Sequence, residues 1–225
     1  MRKIIPLAVT ALLCVFFYTQ FSSAQTTGAD SATITWHSNS FYPSDFGGKP
    51  LPINQSVVSA SVTLFQNQKI QDTSNLLVFW YLDGEFLQKG IGLSTVTFPV
   101  GKVAGSVYSL KASVETSEGI IDSLIIVPVT NPEVVIDVPV PNLLIKSGDT
   151  ITLHSIPYFF NISSLSDLSF SWMVGGFIQN NEASSDITLN IGDVGASGEV
   201  RVKSIIQNTK RAIENKQTEI ILHNQ

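Results

Sequence analysis

The sequence predicts an all-β protein in which two tandem β-sandwich domains follow an N-terminal signal peptide. Three observations support this fold class: apolar and polar residues alternate along much of the chain, no window has a sustained helical stripe, and a tryptophan-containing pattern recurs. Strict alternation puts successive side chains on opposite faces of a strand, one buried and one solvated. The 225 residues suffice for two domains that each bury a core.

Composition and charge exclude several classes of protein. Charged residues make up 14% of the chain and hydrophobic residues 44%, whereas disordered chains are rich in charge and poor in apolar residues. The formal net charge is −5 and the sequence pI is about 5.1. Such a chain has no general cationic surface for a phosphate backbone, so we expect no nucleic-acid partner.

Residues 1–24 have the three regions of a secretory signal peptide. Arg2 and Lys3 precede an apolar run, and small residues occupy positions 22–24, as signal peptidase requires. The run is shorter than the ~20 residues of a transmembrane helix. We therefore expect export and cleavage after Ala24, with an uncleaved N-terminal membrane anchor as the alternative.

The single cysteine, Cys14, lies within this signal. Leu13 precedes it, where a lipoprotein signal would have a small residue, so we expect no lipidation. Cleavage removes two basic and no acidic side chains and takes the net charge from −5 to −7. The mature chain would then have neither a disulfide nor a thiolate metal site, and its stability would rest on core burial.

Strands are indicated most clearly by three alternating segments, residues 60–65, 107–114 and 199–205. Glycine, proline, asparagine and serine separate such segments at short intervals, which is typical of turns between short strands. Both features favour an all-β architecture.

A self-comparison indicates an internal duplication. Residues 79–84 match residues 171–176 at an offset of 92, with tryptophan aligned on tryptophan and glycine on glycine. At the same offset, residues 107–114 fall on residues 199–206. A unit of ~90 residues with about seven short strands has the size of one sandwich domain.

The join between the two copies is rich in proline, with four prolines between residues 127 and 146. Proline cannot donate to a central ladder and stiffens a connector. We predict a first sandwich over residues 30–130, a second over 131–225 and limited freedom between them. Residues 134–138 could still form the first strand of the second unit.

Three aromatic residues are predicted to be structural. Trp80 and Trp172 occupy the position where a sandwich places a large aromatic in its core, and burial of an indole is worth several kcal/mol. An exposed tryptophan that stacks on sugar rings is the alternative, but the recurrence of the position in both copies favours architecture. Tyr108 begins an alternating strand shortly after Gly105, as a tyrosine-corner residue does.

Asp83-Gly84 and Gly175-Gly176 predict tight hairpin turns, because both central residues of a type I′ turn need positive φ. A calcium ligand is the alternative role for Asp83. Calcium needs six to eight oxygens, and no Asp-x-Asp-x-Asp run occurs. We expect no metal and no cofactor.

The repeated segments share a tryptophan, a tight turn and alternating strands. They are residues 79–84, 96–98 and 108–114 in the first copy, and 170–176, 187–189 and 200–205 in the second. This pattern resembles the polycystic-kidney-disease-type (PKD) and related immunoglobulin-like domains of bacterial surface proteins. Residues 34–37, 41–43, 46–52 and 157–160 are similar to segments of uncharacterised exported proteins from candidate-phylum bacteria, which implies an envelope location.

Two groups of aromatic residues are the candidates for a binding surface. They are Trp36, Phe41, Tyr42 and Phe46 in one loop, with Tyr158 and Phe159 further along the chain. Aromatics in the loops of soluble domains are usually tucked in. We expect the loop to fold its aromatics onto the first sandwich and to cover an edge strand, whereas an exposed group would become the best binding site.

No catalytic equipment is recognisable in the sequence. His37, His154 and His223 are far apart and have no second ligand at metal spacing. No G-x-S-x-G elbow occurs. The sequons at residues 54–56 and 161–163 are interpreted as chance occurrences.

These observations predict a non-enzymatic exported protein of the cell envelope that acts as a structural or protein-interaction module in adhesion or assembly. The alternative is a carbohydrate-binding module that uses the aromatic-rich loop from Trp36 to Phe46. The expected partner is accordingly an unidentified envelope protein or a surface glycan.

Overall fold

A computed structural model describes residues 30–179, 184–192 and 198–224 of the chain. In this part of the chain the regular structure is strands, apart from two short 3₁₀ turns, so the predicted all-β class is confirmed. The signal-peptide prediction, which includes Cys14 and the cleavage site after Ala24, lies outside the described residues. None of the described helical segments is long and apolar enough to cross a membrane.

The first sandwich consists of eight strands. They are β1 (Ser31–Ser38), β2 (Val57–Gln66), β3 (Lys69–Gln71), β4 (Leu77–Leu82), β5 (Glu85–Ile91), β6 (Thr95–Pro99), β7 (Val107–Thr116) and β8 (Gly119–Pro128). In one sheet β2 pairs with β1, β3 and β6, and the other sheet has the order β5-β4-β7-β8. All of these pairs are antiparallel.

The second sandwich has a similar but not identical arrangement. Its strands are β9 (Glu133–Asp137), β10 (Leu144–Ile145), β11 (Thr150–Tyr158), β12 (Leu168–Val174), β13 (Phe177–Ile178), β14 (Asp186–Asn190), β15 (Glu199–Asn208) and β16 (Asn215–Asn224). One sheet has the order β14-β11-β9 and the other β10-β16-β15-β12-β13. The strand considered for residues 134–138 is therefore present as β9, and it pairs with β11.

Each sandwich encloses its own tryptophan. Trp80 and Trp172 are both fully buried and lie on the equivalent strands β4 and β12. The indole Nε1 of Trp80 donates to the carbonyl of Leu93 (2.9 Å), and that of Trp172 donates to the carbonyl of Ser184 (3.0 Å). Each acceptor lies just before the next strand of the opposite sheet, so each indole ties its two sheets together.

The apolar residues form separate clusters in the two sandwiches. The first core contains Ile34, Val58, Leu64, Val78, Phe98, Leu110, Val114 and Val127 around Trp80. The second sandwich has one cluster around Trp172, with Ile145, Leu153, Ile187, Val202 and Leu222, and another with Val134, Phe160, Phe170 and Ile206. Each sandwich therefore has its own hydrophobic interior.

The two predicted hairpin turns have the expected backbone. Asp83 and Gly84 have φ of 53° and 85°, and Gly175 and Gly176 have φ of 57° and 87°, so the prediction is confirmed. The carboxylate of Asp83 accepts the backbone N–H of Ser109 at 3.0 Å and pairs with a lysine ammonium. The side chain of Asp83 thus secures the turn to strand β7.

Tyr108 lies in the first core and is 6% exposed. Its hydroxyl accepts the backbone N–H groups of Gly101 (2.9 Å) and Lys102 (3.1 Å), a few residues upstream. Its ring packs edge-on against Phe98, with ring centroids 5.3 Å apart. The residue thereby fixes the connection between β6 and β7 in the manner of a tyrosine corner.

Candidate functional site

The loop after β1 reaches the second sandwich and forms a joint with it. The backbone N–H of Phe41 donates to the carbonyl of Phe160 (2.7 Å), and the carbonyl of Phe41 accepts the N–H of Phe159 (2.6 Å). The ring of Phe41 packs against the buried cluster that contains Phe160. These contacts add the loop to the end of strand β11 as a short strand-like partner.

The expectation that this loop folds its aromatics onto the first sandwich is wrong for Phe41 and Phe46. The ring of Phe46 lies 5.4 Å from that of Tyr158 and 5.8 Å from that of Phe159. Strand β1 ends at the side of the first sandwich where the second begins, so the residues that follow meet the second sandwich. Members of the two aromatic groups predicted separately therefore meet in one cluster, which contains Tyr42, Phe46, Tyr158 and Phe159.

Phe159 has a backbone conformation that side chains rarely adopt, with φ of 61°. Such a conformation costs about 1 kcal/mol or more for a bulky residue. Its side chain is 5% exposed, and its N–H is held by Phe41. Burial of the ring and the hydrogen bond to the loop stabilise this strained position.

Trp36 and Tyr42 do not form a common platform. Trp36 is half-buried and packs against the first core, with the Lys49 ammonium 4.4 Å from its ring centroid. Tyr42 is 43% exposed and lies beside Phe46, with 6.1 Å between ring centroids. The predicted carbohydrate platform over residues 36–46 is thus divided between two places.

A polar clamp lies at a second position in the joint. Asn161 donates its backbone N–H to Glu214 Oε1 (2.5 Å) and its side-chain amide to Glu214 Oε2 (3.3 Å) and to the carbonyl of Asn54 (2.9 Å). Glu214 is 8% exposed. Asn54 belongs to the first sandwich and the other two residues to the second, so these hydrogen bonds connect the sandwiches.

The asparagines of both sequons take part in hydrogen bonds at the clamp or beside it. The amide of Asn161 is engaged by Glu214 and Asn54, and the amide of Asn54 donates to the carbonyls of Gly101 and Lys102. Glycosylation of either asparagine would require these hydrogen bonds to break. Their structural use is consistent with chance sequons.

The connector between the sandwiches is attached to the first sandwich. Strand β8 ends at Pro128 and β9 begins at Glu133. Between them, Val129 N–H donates to the carbonyl of Ser106, and Thr130 N–H donates to the carbonyl of Pro52, both at 2.9 Å. Few backbone dihedrals thus remain free at the connector.

A groove of about 640 Å³ runs along one side of the joint. One wall is the loop with Tyr42 and Ser44, and the other wall belongs to the second sandwich. There His154 Nδ1 lies 3.0 Å from Asp186 Oδ1, and Ser185 Oγ donates to the same oxygen at 3.1 Å. We call this feature the joint groove.

The carboxylate of Asp186 is tuned by its neighbours. The hydrogen bond from His154 lowers the pKa of Asp186 below its ordinary value, partial burial opposes this, and the Ser185 hydroxyl lowers it further. Hydrogen bonds to the charged form of an acid favour that form. Asp186 is accordingly ionised at neutral pH.

The three histidines are placed apart, as the sequence suggested. His37 lies on β1, His154 lines the groove, and His223 lies 3.8 Å from Glu199 on the outer side of β16. Across the described ranges, His154 has a hydrogen bond with Asp186 and none with a serine hydroxyl. The same residues contain no group of three or more histidine, cysteine or acidic side chains that could hold a metal ion.

Sequence reasoning missed the polar clamp and the His154–Asp186 pair. Asn161 and Asn54 are 107 residues apart in the chain, and His154 and Asp186 are 32 apart. Neither spacing is a local motif. The His154–Asp186 pair had one signal, which was cross-strand: once β11 and β14 are paired in register, His154 faces Asp186 directly. The clamp had no such signal, because its residues lie in loops.

Comparisons with known proteins show no family. No protein-family model and no curated protein matches the chain. Among solved structures it is similar to the three N-terminal domains of the bacteriophage RB49 outer capsid protein Hoc, at 14% identity and a TM-score of 0.45. That match covers 87% of this chain and 59% of the phage chain, so the present chain spans about three-fifths of its length.

Two further similarities are to tandem modules of other proteins. The fibronectin(III)-like modules of Clostridium thermocellum CbhA have 15% identity and a TM-score of 0.31, over 85% of this chain and 95% of theirs. The titin immunoglobulin tandem A164–A165 has 13% identity and a TM-score of 0.30, and the match covers 78% of this chain and 91% of the titin chain. The two tandem sandwiches are shown by the strand pairing of the chain itself. These similarities are to immunoglobulin-like and fibronectin-like modules, and the PKD subfamily stays a prediction.

Proposed function

We propose that this protein is an exported, non-enzymatic module of the cell envelope, in which two joined sandwiches act as one rigid structural or protein-interaction unit in adhesion or assembly. The observation that carries the proposal is the pair of main-chain hydrogen bonds between Phe41 and residues 159–160. The signal-like composition of residues 1–24 supports the exported location.

The joint supports a rigid unit because its contacts lie at separate positions. The main-chain pair of Phe41, the aromatic cluster around Phe46 and the Asn161–Glu214–Asn54 clamp each connect the sandwiches. Relative motion is the usual expectation for domains linked by a small polar interface. Here a bend would break main-chain hydrogen bonds and expose Phe159, so the two frames hold a fixed orientation.

A fixed orientation suits a spacer or an adhesion unit. Sheet edges and end loops on a rigid frame present a constant surface to a partner. A flexible pair would lose part of its binding energy to ordering on contact. The partner would be another envelope protein or a surface glycan.

Residual dipolar couplings of the chain from residue 25 onward test the rigid joint. We expect one alignment tensor to fit both sandwiches of the natural sequence. The double variant Phe41→Ala with Asn161→Ala should give tensors of different magnitude, because packing and clamp are both lost. Phe86→Ala, at an exposed position of strand β5, is the matched control, and separate tensors in the natural sequence would contradict the proposal.

Export is tested by expressing the full chain with its first 24 residues in a bacterial host. The expected product lies outside the cytoplasm and begins at Gln25, which intact-mass measurement identifies. A version with Ala24→Arg should be cleaved poorly, because a bulky charged residue replaces the small one next to the cleavage site. Retention of the natural chain in the cytoplasm with its first residues intact would contradict export.

A further inference from the structure

We propose that the joint groove binds a neutral oligosaccharide, with Tyr42 as the stacking residue and Asp186 as the hydrogen-bond acceptor. This proposal rests on the proposed function in one respect. The two walls of the groove belong to different sandwiches, so the groove keeps its shape only if the joint is rigid. Its volume of about 640 Å³ lies within the range of small-ligand sites, about 300–1,000 Å³.

Tyr42 provides an exposed aromatic ring on a rigid support. Its side chain is 43% exposed, and Phe46 lies beside the ring. Phe46 is itself held edge-on by Tyr158 and Phe159. An aromatic face carries negative charge density that attracts the polarised C–H face of a sugar ring, and a supported ring loses little entropy on binding.

Asp186 provides a charged acceptor at the opposite wall. Its Oδ1 accepts from His154 and Ser185, which leaves Oδ2 for ligand hydroxyls. The hydroxyl of Ser44 lines the groove and has no hydrogen bond to another described residue. An ionised carboxylate and a free hydroxyl suit a ligand rich in O–H groups.

The charge of the residues that line the groove favours a neutral ligand over an anionic one. No lysine or arginine lines the groove, and its one acidic group is the ionised Asp186. The other titratable group of the lining, His154, is already paired with Asp186, so a sulfate, phosphate or uronate would meet a like charge with no unpaired cation beside it. The ligands that fit this lining are therefore neutral polymers of hexose, pentose or N-acetylhexosamine.

The backbone of the groove disfavours an extended peptide. Ser155 N–H donates to Ser185 on the groove side of β11, so Pro157, two residues on, faces the same side. Proline has no N–H to donate. A peptide added along this edge would lose the main-chain hydrogen bond that strand addition relies on.

The test uses the chain from residue 25 onward, labelled with ¹⁵N, and the hexasaccharides of cellulose, xylan, mannan, laminarin and chitin. We expect at least one to shift the amides of Ser44 and Ser185 with a Kd of about 0.1–1 mM. Tyr42→Ala should weaken binding at least about tenfold and Asp186→Asn several-fold, whereas Tyr42→Phe keeps the ring and should stay close to the natural affinity.

Tyr81→Ala serves as the control for a general aromatic effect, because Tyr81 lies on the outer face of the first sandwich near Phe86. Its affinity should be unchanged. The proposal is overturned if no neutral hexasaccharide shifts the groove amides, if oligogalacturonate or an unstructured peptide binds there more tightly, or if Tyr42→Ala has no effect. Dipolar couplings from the same samples report separately whether the joint is rigid.

Discussion

Trp80 and Trp172 each provide both a large apolar volume and a hydrogen-bond donor in the middle of a sandwich. Each indole fills the middle of a sandwich that has no disulfide in its described residues, and each donates its N–H to a carbonyl just before a strand of the opposite sheet. A buried donor without a partner costs about 1–3 kcal/mol. Phenylalanine could supply part of the volume but not the bond, so tryptophan meets both requirements.

Substitution of Trp80 tests this pairing of volume and hydrogen bond. Trp80→Phe should lower the free energy of unfolding by about 2 kcal/mol, and Trp80→Ala by about 3–5 kcal/mol. Urea unfolding followed by circular dichroism measures both. Phe86→Ala, at a side chain that is 57% exposed, should cost less than about 1 kcal/mol, and an equal cost for Phe86→Ala and Trp80→Ala would contradict the assignment.

Asp122 makes a cross-strand ion pair whose contribution depends on pH. It accepts from the Lys111 ammonium at 2.8 Å and from Ser113 Oγ at 2.6 Å, and these bonds lower its pKa despite some desolvation. Because the folded pKa lies below the unfolded value, the stabilisation is complete above the unfolded pKa and is lost as the pH falls through the folded one.

We therefore expect Asp122→Asn to destabilise the protein by about 0.5–1 kcal/mol at pH 7 and by progressively less as the pH falls below about 4. Unfolding free energies over this pH range give the measurement. In a Lys111→Met background the substitution should cost less, since the ion pair is already lost. A difference that grows with acidity would show that the sign is wrong.

The hairpin between β4 and β5 shows how a local element depends on one backbone conformation. Gly84 has φ of 85°, which side chains rarely adopt, although a methyl group there would meet no atom within 4 Å. The cost of Gly84→Ala is thus conformational and should be about 1 kcal/mol. Thermal unfolding measures it.

Gly47→Ala is the matched control for that turn. A methyl group at Gly47 also meets no atom within 4 Å, and its φ lies outside the left-handed region. This substitution should be neutral or slightly stabilising, since it restricts the unfolded chain. If both alanines cost the same, the positive φ of Gly84 is not what makes alanine unfavourable in the turn.

The individual strands and turns also show how much of the fold the sequence could predict. Alternation and turn dipeptides depend on neighbours in the chain, so the β7 and β15 strands and the two glycine turns followed from local patterns. Short strands such as β3 and β10 carry too few residues for a period. Their pairing is set by the longer strands beside them.

The binding candidates were predictable in kind but not in arrangement. Aromatic density marked Phe46, Tyr158 and Phe159, yet nothing local shows that they meet across the joint. The main-chain pair of Phe41 involves atoms that every residue has, so side-chain identity carries no signal for it. Contacts of this kind appear only once both sandwiches are folded and placed.

At the scale of the whole molecule, the joint should make the two sandwiches unfold together. Loss of the second sandwich removes the partners of Phe41 and Asn54, and loss of the first removes the Asn54 carbonyl that accepts from Asn161. We expect a single calorimetric transition for the natural sequence and two resolved transitions for Phe41→Ala with Asn161→Ala. Two transitions in the natural sequence would show that the joint adds little to stability.

The pairing of Phe41 with Phe159 also sets an order of assembly during synthesis. Strand β1 and its loop are made long before residues 159 and 160, and at ~5–20 residues per second the interval is roughly 6–24 s. For that time the loop has no partner, and its phenylalanines are available to a chaperone or to the translocation machinery. A contact of the joint that forms late is therefore made by a segment that is synthesised early.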